Sequence, residues 1–251
     1  MIIKGTVALV TGASAGIGAA VAGSLAARGA RVLVHGRDPE ATAAVADRVG
    51  GTAIVADLTR PGAPEQVAAA ALEAADRLDI LVANAGIGWA GTFTDMTPDD
   101  VDRLVTVNLT APVRLTHALL PALREHGGFA AYVTSIAGRA GVAGEAVYSA
   151  TKAGLDVFAE SLRLELHGTG VRVGVLVPGV VDTQFFQRRG RPYVRSWPRP
   201  RPVGPVAAAL VRMIESDRAE AYRPRWGRVP VAVRGLVPRA YRALAARFGG
   251  G

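Results

Sequence analysis

Short runs of apolar residues alternate with longer stretches of helical pattern along most of this 251-residue chain. A strand that is apolar at nearly every position is buried on both faces, which is typical of a parallel sheet covered by helices. The sequence therefore predicts an α/β fold, with a single Rossmann-type, doubly wound parallel sheet of about seven strands and helices on both faces. The predicted strands are Thr6–Thr11, Arg31–Val34, Ala53–Ala56, Ile80–Ala83, Phe129–Thr134, Val171–Val177 and a short strand near Ala221–Tyr222.

The chain is predicted to consist of a main domain and a C-terminal tail. We expect residues 1–228 to form one domain and residues 229–251 to form a basic C-terminal extension. Proline and arginine are frequent between Gln187 and Pro202, which predicts a mobile loop after the sixth strand. Helices are predicted from the first glycine turn to about Arg28, and over residues 39–49, 64–76, 98–125, 147–167, 203–216 and 236–248.

The composition excludes several classes of site. The chain has no cysteine, which removes disulfides, thiolate nucleophiles and cysteine-ligated metal. No apolar stretch reaches the roughly 18 residues of a membrane-spanning helix, and the first residues have no signal-peptide architecture, so we expect a cytoplasmic protein. The histidines show no metal-ligand spacing, so no metal site is predicted and each is expected at the surface or its boundary. They are His35, His117, His126 and His167.

A glycine-rich turn, from Thr11 to Gly18, follows the first predicted strand and leads into the first helix. Gly12 permits a tight turn, Gly16 lets the backbone approach a pyrophosphate, and Gly18 lets helix and strand pack closely. The helix N-terminus offers unpaired N–H donors and partial positive charge to phosphates. In this context the turn predicts a dinucleotide site, with the spacing Gly-x-x-x-Gly-x-Gly rather than Gly-x-Gly-x-x-Gly.

The end of the second strand bears on which dinucleotide binds. An enzyme that prefers NAD usually places an acid here to bind the ribose hydroxyls. Gly36 occupies the position that we align with this acid, and Arg37 follows it. A guanidinium can bind a 2′-phosphate through two parallel hydrogen bonds. We therefore expect NADP(H) to be favoured, with NAD(H) possible; the alternative is that Arg37 faces solvent while Asp38 binds the ribose.

Tyr148 and Lys152 lie four residues apart in a predicted helix, so both side chains project from one face. Of the 29 basic residues, only Lys4 and Lys152 are lysines. A nearby positive charge favours the ionised form of an acid. The pair therefore predicts a tyrosine whose pKa lies below its usual value of about 10 and which exchanges a proton with a substrate. Taken alone, the pattern is also compatible with an ordinary exposed helix pair.

From about Thr6 to Thr183 the chain resembles a classical short-chain dehydrogenase/reductase. The resemblance implies an NAD(P)H-dependent oxidoreductase that interconverts a carbonyl and a secondary alcohol by hydride transfer. It depends on the order of the glycine turn, Asp57-Leu58, Asn84-Ala85-Gly86, Asn108, Ser135, Tyr148 with Lys152, and Pro178-Gly179 to Thr183. The implied catalytic residues are Asn108, Ser135, Tyr148 and Lys152. The implied cofactor-binding residues are Gly12, Ser14, Gly16, Ile17, Gly18, Arg37, Asp57, Leu58, Asn84, Gly86, Tyr148, Lys152, Pro178, Gly179 and Thr183.

The resemblance also implies a role for each catalytic residue. Ser135 hydrogen-bonds the substrate carbonyl, and Tyr148 donates a proton to its oxygen as hydride arrives from the nicotinamide. Lys152 lowers the tyrosine pKa and holds the nicotinamide ribose, while Asn108 anchors a water that connects Lys152 to solvent. The residues alone leave two other interpretations open: Ser135 caps backbone groups at a strand end, and Asn108 is a polar kink in a long helix.

Aromatic residues on the loops above the expected nicotinamide predict a mostly apolar substrate pocket with a lid at about 184–202. Alternatively, several of them pack this loop onto the body of the domain. The arginines between Gln187 and Pro202 attract an acidic substrate or a carrier-bound acyl group, or else form a solvated face, which is the favoured interpretation. The aromatic residues are Trp89, Phe185, Phe186, Tyr193 and Trp197.

The net charge of +8 comes from the last quarter of the chain. Residues 185–251 carry 15 arginines and three acids, a net charge of +12, whereas residues 1–184 have a net charge of −4. The pattern from Leu236 to Phe248 is typical of a basic amphipathic helix. Docking on a neighbouring subunit is favoured over peripheral contact with an anionic membrane. No nucleic-acid motif accompanies the charge, so nucleic acid is not an expected partner.

Two expectations concern partners and function. Family members commonly pair two long helices with those of a partner, so the helices at 98–125 and 147–167 predict a homodimer or homotetramer that acts on a small molecule. The alternative function is a catalytically silent dinucleotide-binding sensor that acts through the basic tail. A pure sensor has no need of Ser135, Tyr148 and Lys152 together, so the enzyme is favoured.

Overall fold

The centre of the molecule is one parallel sheet, seen in a computed structural model that describes residues 1–194, 197–239 and 241–243. The strands are β1 (Val7–Val10), β2 (Arg31–Gly36), β3 (Thr52–Val55), β4 (Ile80–Ala83), β5 (Phe129–Val133), β6 (Arg172–Pro178) and β7 (Glu220–Arg223). Their spatial order is β3-β2-β1-β4-β5-β6-β7, and every neighbouring pair is parallel. The predicted doubly wound α/β fold is confirmed.

The helices follow the predicted positions closely where the chain carries start and stop signals. Asp38 begins the second helix by accepting a hydrogen bond from the Ala41 amide (3.0 Å), and Gly50 ends it with a left-handed φ of 60°. The helices are α1 (Gly16–Ala26), α2 (Pro39–Val49), α3 (Ala63–Ala75), α4 (Pro98–Val105), α5 (Ala111–Glu125), α6 (Ile136–Ala140), α7 (Ala146–Glu165), α8 (Phe185–Arg188), α9 (Val203–Glu215) and α10 (Arg228–Leu236).

Two apolar layers enclose the sheet and explain why its strands lack polar alternation. α3, α5 and α7 pack on one face, where Leu9, Leu81 and Tyr132 are fully buried. α1, α2 and α9 cover the other face around Val10 and Phe129. Both layers leave the carboxyl ends of the strands at one edge of the sheet, which is where open parallel sheets bind ligands.

The helix predicted over 98–125 is interrupted. A π-helical turn at Thr106–Thr110 separates α4 from α5. Such a turn holds one residue more than a regular turn, and it often lies at a functional site. The prediction of one regular helix is therefore wrong at its centre, where Asn108 lies within the π-helical turn.

The C-terminal region differs from the helix predicted over 236–248. α10 begins earlier, at Arg228, and ends at Leu236. Residues 238, 239 and 241–243 are again helical, whereas 244–248 lie outside the described residues. α10 lies against α6 of the same chain. The division of the chain at residue 228 stays a prediction.

The two ends of the segment predicted as a lid are bonded to each other. The segment contains α8, and Arg201 pairs with Val181 in an isolated parallel bridge. The Asp182 amide donates to the Arg201 carbonyl oxygen at 2.8 Å. Across residues 1–194, 197–239 and 241–243, every helix is too short or too polar to span a lipid bilayer.

Candidate active site

The glycine turn brings β1, α1 and the end of β4 into close backbone contact. Gly12 has a φ of +62°, and a Cβ atom there would lie 2.7 Å from the Ala85 Cα atom. A Cβ atom on Gly18 would lie 2.4 Å from the Gly12 carbonyl oxygen. These separations are below van der Waals contact, so both positions require glycine.

Asn84 and Thr11 hold this turn in place. The Asn84 side-chain amide donates to the carbonyl oxygens of Thr11 (2.9 Å) and Gly12 (3.1 Å). In return, the Thr11 hydroxyl accepts from the backbone amides of Asn84 and Ala85, each at 3.0 Å. The predicted Asn84-Ala85-Gly86 motif thus braces the glycine turn, and Thr11 is a partner that the sequence interpretation did not single out.

His35 is buried, so the prediction that every histidine lies at the surface or its boundary is wrong here. Its Nδ1 atom accepts a hydrogen bond from the Gly12 amide at 3.4 Å, and its carbonyl oxygen accepts from the Ala13 amide at 2.8 Å. Burial lowers the His35 pKa to about 4, although the Ala56 backbone partly opposes this shift. A neutral imidazole therefore supports the glycine turn. His117, His126 and His167 are exposed, as predicted.

We expect the free energy of unfolding to fall as the pH is lowered from 6.5 toward about 4, because unfolded His35 binds a proton that the folded chain does not. The slope due to this group approaches about 1.4 kcal/mol per pH unit. Urea unfolding at several pH values would measure it, with His35→Asn as the comparison because asparagine offers an acceptor and does not titrate. Equal slopes for both proteins between pH 6.5 and about 5 would contradict the prediction.

The N-terminus of α1 is open toward the sheet edge. Its first turn has neither a side-chain cap nor an acidic residue, so its N–H groups and partial positive charge are available to an anion. Gly16 has a φ of +57°, and a Cβ atom there would lie 3.3 Å from the Thr183 Cγ2 atom. Ile17 packs partly buried against the adjacent core. The arrangement fits the pyrophosphate of a dinucleotide.

The residues expected at the adenosine end lie beside β2 and β3. A Cβ atom on Gly36 would lie 2.4 Å from the Thr42 hydroxyl and 3.0 Å from the Ser14 Cβ atom. Arg37 and Asp38 are both exposed, and Asp38 uses its carboxylate to cap α2.

Asp57 and Leu58 follow β3 and differ in their surroundings. A hydrogen bond from the Thr59 amide (3.0 Å) lowers the Asp57 pKa, and the nearby Arg37 charge adds to the shift. Leu58 is buried in the core, so its side chain contributes packing.

Ser135 and Tyr148 meet at the carboxyl end of β5. Ser135 caps α6 by accepting from the Ala137 amide at 3.2 Å, as the capping interpretation expected, and its side chain also interacts with that of Tyr148. Tyr148 is 8% exposed, and its ring centroid lies 5.6 Å from that of Phe185.

Burial raises the Tyr148 pKa to about 12, and the nearby Ser135 side chain partly opposes this shift. The charges of Glu145 and Arg189 act in opposite directions on it. The predicted lowering of this pKa by Lys152 is therefore wrong for the chain by itself.

Lys152 and Asn108 lie together next to Gly86. Lys152 is 4% exposed, its Nζ atom donates to the Val133 carbonyl oxygen at 2.9 Å, and burial lowers its pKa to about 8. Asn108 is fully buried in the π-helical turn, where its amide exchanges hydrogen bonds with the Ile87 backbone (2.8 and 2.9 Å) and donates to Thr151 (3.2 Å). A Cβ atom on Gly86 would lie 3.3 Å from both Asn108 Oδ1 and Lys152 Nζ.

The predicted lid residues separate into two groups. Phe185 and Phe186 contact each other, and Phe186 contacts Tyr193. Arg189, almost buried, forms an ion pair with Glu145 and lies over the Phe186 ring.

Trp197 forms the second group, and its place above the nicotinamide stays a prediction. It stacks on Trp226 with ring centroids 5.0 Å apart, beside a cavity of about 400 Å³ that Gly179 also lines.

Comparison with known proteins decides the family. A family model described as short chain dehydrogenase matches residues 6–193. The chain belongs to this family. The 3-oxoacyl-(acyl-carrier-protein) reductase FabG of Escherichia coli (strain K12) is 36% identical over 189 residues, which cover 74% of this chain and 77% of that protein.

Two solved structures of similar proteins contain a dinucleotide. A short-chain dehydrogenase from Sphingobium yanoikuyae, in complex with NADPH, matches with a TM-score of 0.82 and 32% identity, over 93% of this chain and 95% of that one. The 3-ketoacyl-(acyl-carrier-protein) reductase from Brucella melitensis, complexed with NADH, matches with a TM-score of 0.81 and 27% identity, over 88% and 96%. The chain is thus a short-chain dehydrogenase/reductase, an oxidoreductase that uses a nicotinamide dinucleotide.

Several residues that shape this short-chain dehydrogenase site carried no strong signal in the sequence. His35 is a single polar residue within a buried apolar strand. A polar side chain in such a position indicates a specific hydrogen-bond partner, here the Gly12 amide. Thr151 lies between Tyr148 and Lys152, and its hydroxyl donates to the Tyr148 carbonyl oxygen (2.8 Å) and accepts from the Asn108 amide (3.2 Å). Gly138 in α6 packs so closely on α7 that a Cβ atom would lie 2.7 Å from the Lys152 carbonyl carbon.

Proposed function

We propose that the chain reduces a carbonyl of a small, largely apolar molecule to a secondary alcohol, with NADPH as the favoured hydride donor and Tyr148 as general acid. The meeting of Ser135 with the buried Tyr148 side chain at the carboxyl end of β5 is the observation that supports this most directly. A polar pair at this edge of a parallel sheet is placed for work on a ligand. The bound dinucleotide supplies the hydride.

The protonation of the pair favours reduction over alcohol oxidation. With a pKa of about 12, Tyr148 keeps its proton at neutral pH and can donate it to a developing alkoxide. Ser135 offers a second donor for the same oxygen. Reduction needs the protonated phenol, whereas oxidation needs the phenolate, which is scarce near neutral pH in the isolated chain.

Lys152 and Asn108 support proton supply in this proposal. Lys152 has a pKa of about 8, so its charge changes near neutral pH. Its Nζ atom lies beside Gly86, close to the Asn108 side chain. We infer that Lys152 returns protons toward Tyr148 and holds the cofactor ribose, and that Asn108 keeps the surrounding backbone in place. The bonds of Asn108 to Ile87 and Thr151 use both the oxygen and the nitrogen of its side-chain amide.

The surroundings of Tyr148 favour a substrate with an apolar body. Tyr148 packs with Leu104 and Ala137, and partly buried apolar side chains from neighbouring loops and helices pack against the same cluster. The similar E. coli and B. melitensis proteins are named as reductases of a 3-oxoacyl group on a carrier protein. We therefore propose a 3-oxoacyl compound as the first substrate class to assay.

Oligomerisation is a further part of the proposal. Val157 and Leu164 on α7 are exposed, large and apolar, which supports pairing of this helix with a partner copy in a homodimer or homotetramer. The sensor alternative gains no support from the tail, because its described part contacts α6 of the same chain.

Absorbance at the nicotinamide band tests the proposal directly. The chain would be incubated with NADPH or NADH and a panel of ketones that includes a 3-oxoacyl thioester and a simple cyclic ketone. Turnover with at least one ketone is expected. Dinucleotide binding without turnover on any ketone would reject the proposal and favour the sensor.

Arg37→Ala is expected to lower kcat/KM with NADPH by about 10- to 100-fold, because a charged hydrogen-bond partner of the 2′-phosphate is lost. The value with NADH should change by less than about threefold. Arg48→Ala is the matched control, since Arg48 is exposed in the last turn of α2, away from the Asp38 end. An NADH preference that Arg37→Ala leaves unchanged would contradict the assignment.

A further inference from the structure

We propose that the C-terminal extension positions Ser135 for catalysis by holding the carboxyl end of α6 through Arg234 and Tyr241. The proposal rests on the proposed function, because it assigns positioning residues to that reaction. Neither residue touches Ser135, so each would act through the short helix that Ser135 begins.

α6 links two of the proposed catalytic residues. Ser135 is its N-cap, and the Gly138 amide donates to the Ser135 carbonyl oxygen at 3.1 Å. In the middle of α6, Gly138 lies against the backbone of Lys152. A displacement of α6 therefore changes the position of Ser135 relative to both Tyr148 and Lys152, which lie on α7.

Ion pairs fix the side of α6 that faces the body of the domain. The Arg139 guanidinium donates to Asp156 of α7 at 2.7 Å and to Glu220 of β7 at 2.6 Å. Arg139 is largely buried and also contacts Tyr222. This network ties α6 to α7 and to the edge strand of the sheet.

The carboxyl end of α6 is held from the other side, by the extension. The Arg234 guanidinium donates to the Arg139 carbonyl oxygen, and the Tyr241 hydroxyl donates to the Ala140 carbonyl oxygen at 2.8 Å. These are carbonyl groups that the end of a helix leaves without intrahelical partners. Arg234 also places positive charge at the end of the helix where it is favoured.

A helix of five residues has few bonds of its own, so external partners decide how well its position is defined. Loss of the Tyr241 bond should let the end of α6 fray and should widen the range of Ser135 positions. Catalytic geometry is sensitive to such displacements. The extension thus acts on the rate of reduction. The glycine turn that we expect to bind the pyrophosphate is held by Asn84, Thr11 and His35 instead, so the affinity for the dinucleotide should stay unchanged.

Tyr241→Phe tests the proposal because it removes one hydroxyl and keeps the ring. We expect kcat for ketone reduction to fall about fivefold, the scale of one neutral hydrogen bond, with the dinucleotide Kd unchanged. The matched control is Arg242→Ala, at an exposed neighbouring position that should change neither value. Unchanged kcat in Tyr241→Phe, with the wild type active, would overturn the proposal and leave the proposed function intact.

A double-mutant cycle separates positioning of Ser135 from general stability. In a Ser135→Ala background, Tyr241→Phe should have no further effect on the residual kcat, because the group it positions is already absent. An equal fold-loss in both backgrounds would refute action through Ser135.

Amide hydrogen exchange gives a readout that needs no turnover. Exchange over residues 136–141 should be faster in Tyr241→Phe than in the wild type and in Arg242→Ala, because this hydroxyl bond restrains the end of α6. Unchanged exchange in this segment would overturn the proposal even if no substrate were found.

Discussion

Tyr148→Phe is expected to lower kcat for ketone reduction by at least about a hundredfold, the scale of general acid–base catalysis. The substitution removes the hydroxyl beside Ser135 and keeps the ring that packs against Phe185. Because Tyr148 keeps its proton at neutral pH, the lost group is the proton donor itself. Initial rates of NADPH oxidation with a saturating ketone would measure the effect.

Two measurements keep this result from being explained by damage to the fold. The melting temperature and the dinucleotide Kd of Tyr148→Phe should stay close to the wild-type values, since the aromatic ring remains in its apolar cluster. A variant that binds dinucleotide and ketone normally but turns over at near wild-type rate would refute the assignment of Tyr148 as general acid.

Gly18→Ala is expected to have the second large effect, on both stability and dinucleotide binding. The added methyl would lie 2.4 Å from the Gly12 carbonyl oxygen and 2.6 Å from the Asn84 side-chain nitrogen. Neither atom can yield without breaking the bonds by which Asn84 holds the turn. We expect the free energy of unfolding to fall by about 1–3 kcal/mol, as in overpacked cores, and the dinucleotide Kd to rise at least about tenfold.

Gly23→Ala is the matched control, because Gly23 lies on the same helix and a Cβ atom there would meet nothing within 4 Å. This change should be neutral or stabilising by up to about 1 kcal/mol, since alanine favours helix more than glycine does. Urea unfolding and a fluorescence titration with NADPH would compare the two variants. Similar results for both would show that close packing at Gly18 is unimportant.

The sheet and most helices could be predicted because their signals are local. Apolar runs mark the strands, and Asp38 and Gly50 mark the ends of α2. The π-helical turn at Asn108 could not be predicted, because it depends on bonds to Ile87 and Thr151, which are far away in sequence. α6 escaped prediction since five residues carry no periodicity.

The residues of the site could be predicted from the sequence more readily than their pKa values. The order of the motifs along the chain predicts which side chains reach the strand ends. The structure places Ser135 beside Tyr148, as that order predicts. The sign of the Tyr148 pKa shift depends on how completely Phe185 and its neighbours exclude water. The sequence pair Tyr148 and Lys152 contains no information on that burial, so the expected acidic phenol was wrong for the isolated chain.

The widened turn at Thr106–Thr110 has a consequence for changes in chain length. A π-helical turn takes up one extra residue locally, so the helical segments on either side keep the faces that they would have in a regular helix. The deletion of one residue within it would therefore restore a regular α-helix, with Leu104 still in the apolar cluster of Tyr148 and α5 still against α3. Such a deletion would remove the wide turn that carries Asn108, and with it the bonds to Ile87 and Thr151. A shorter chain would here keep its packing and lose the arrangement of the site.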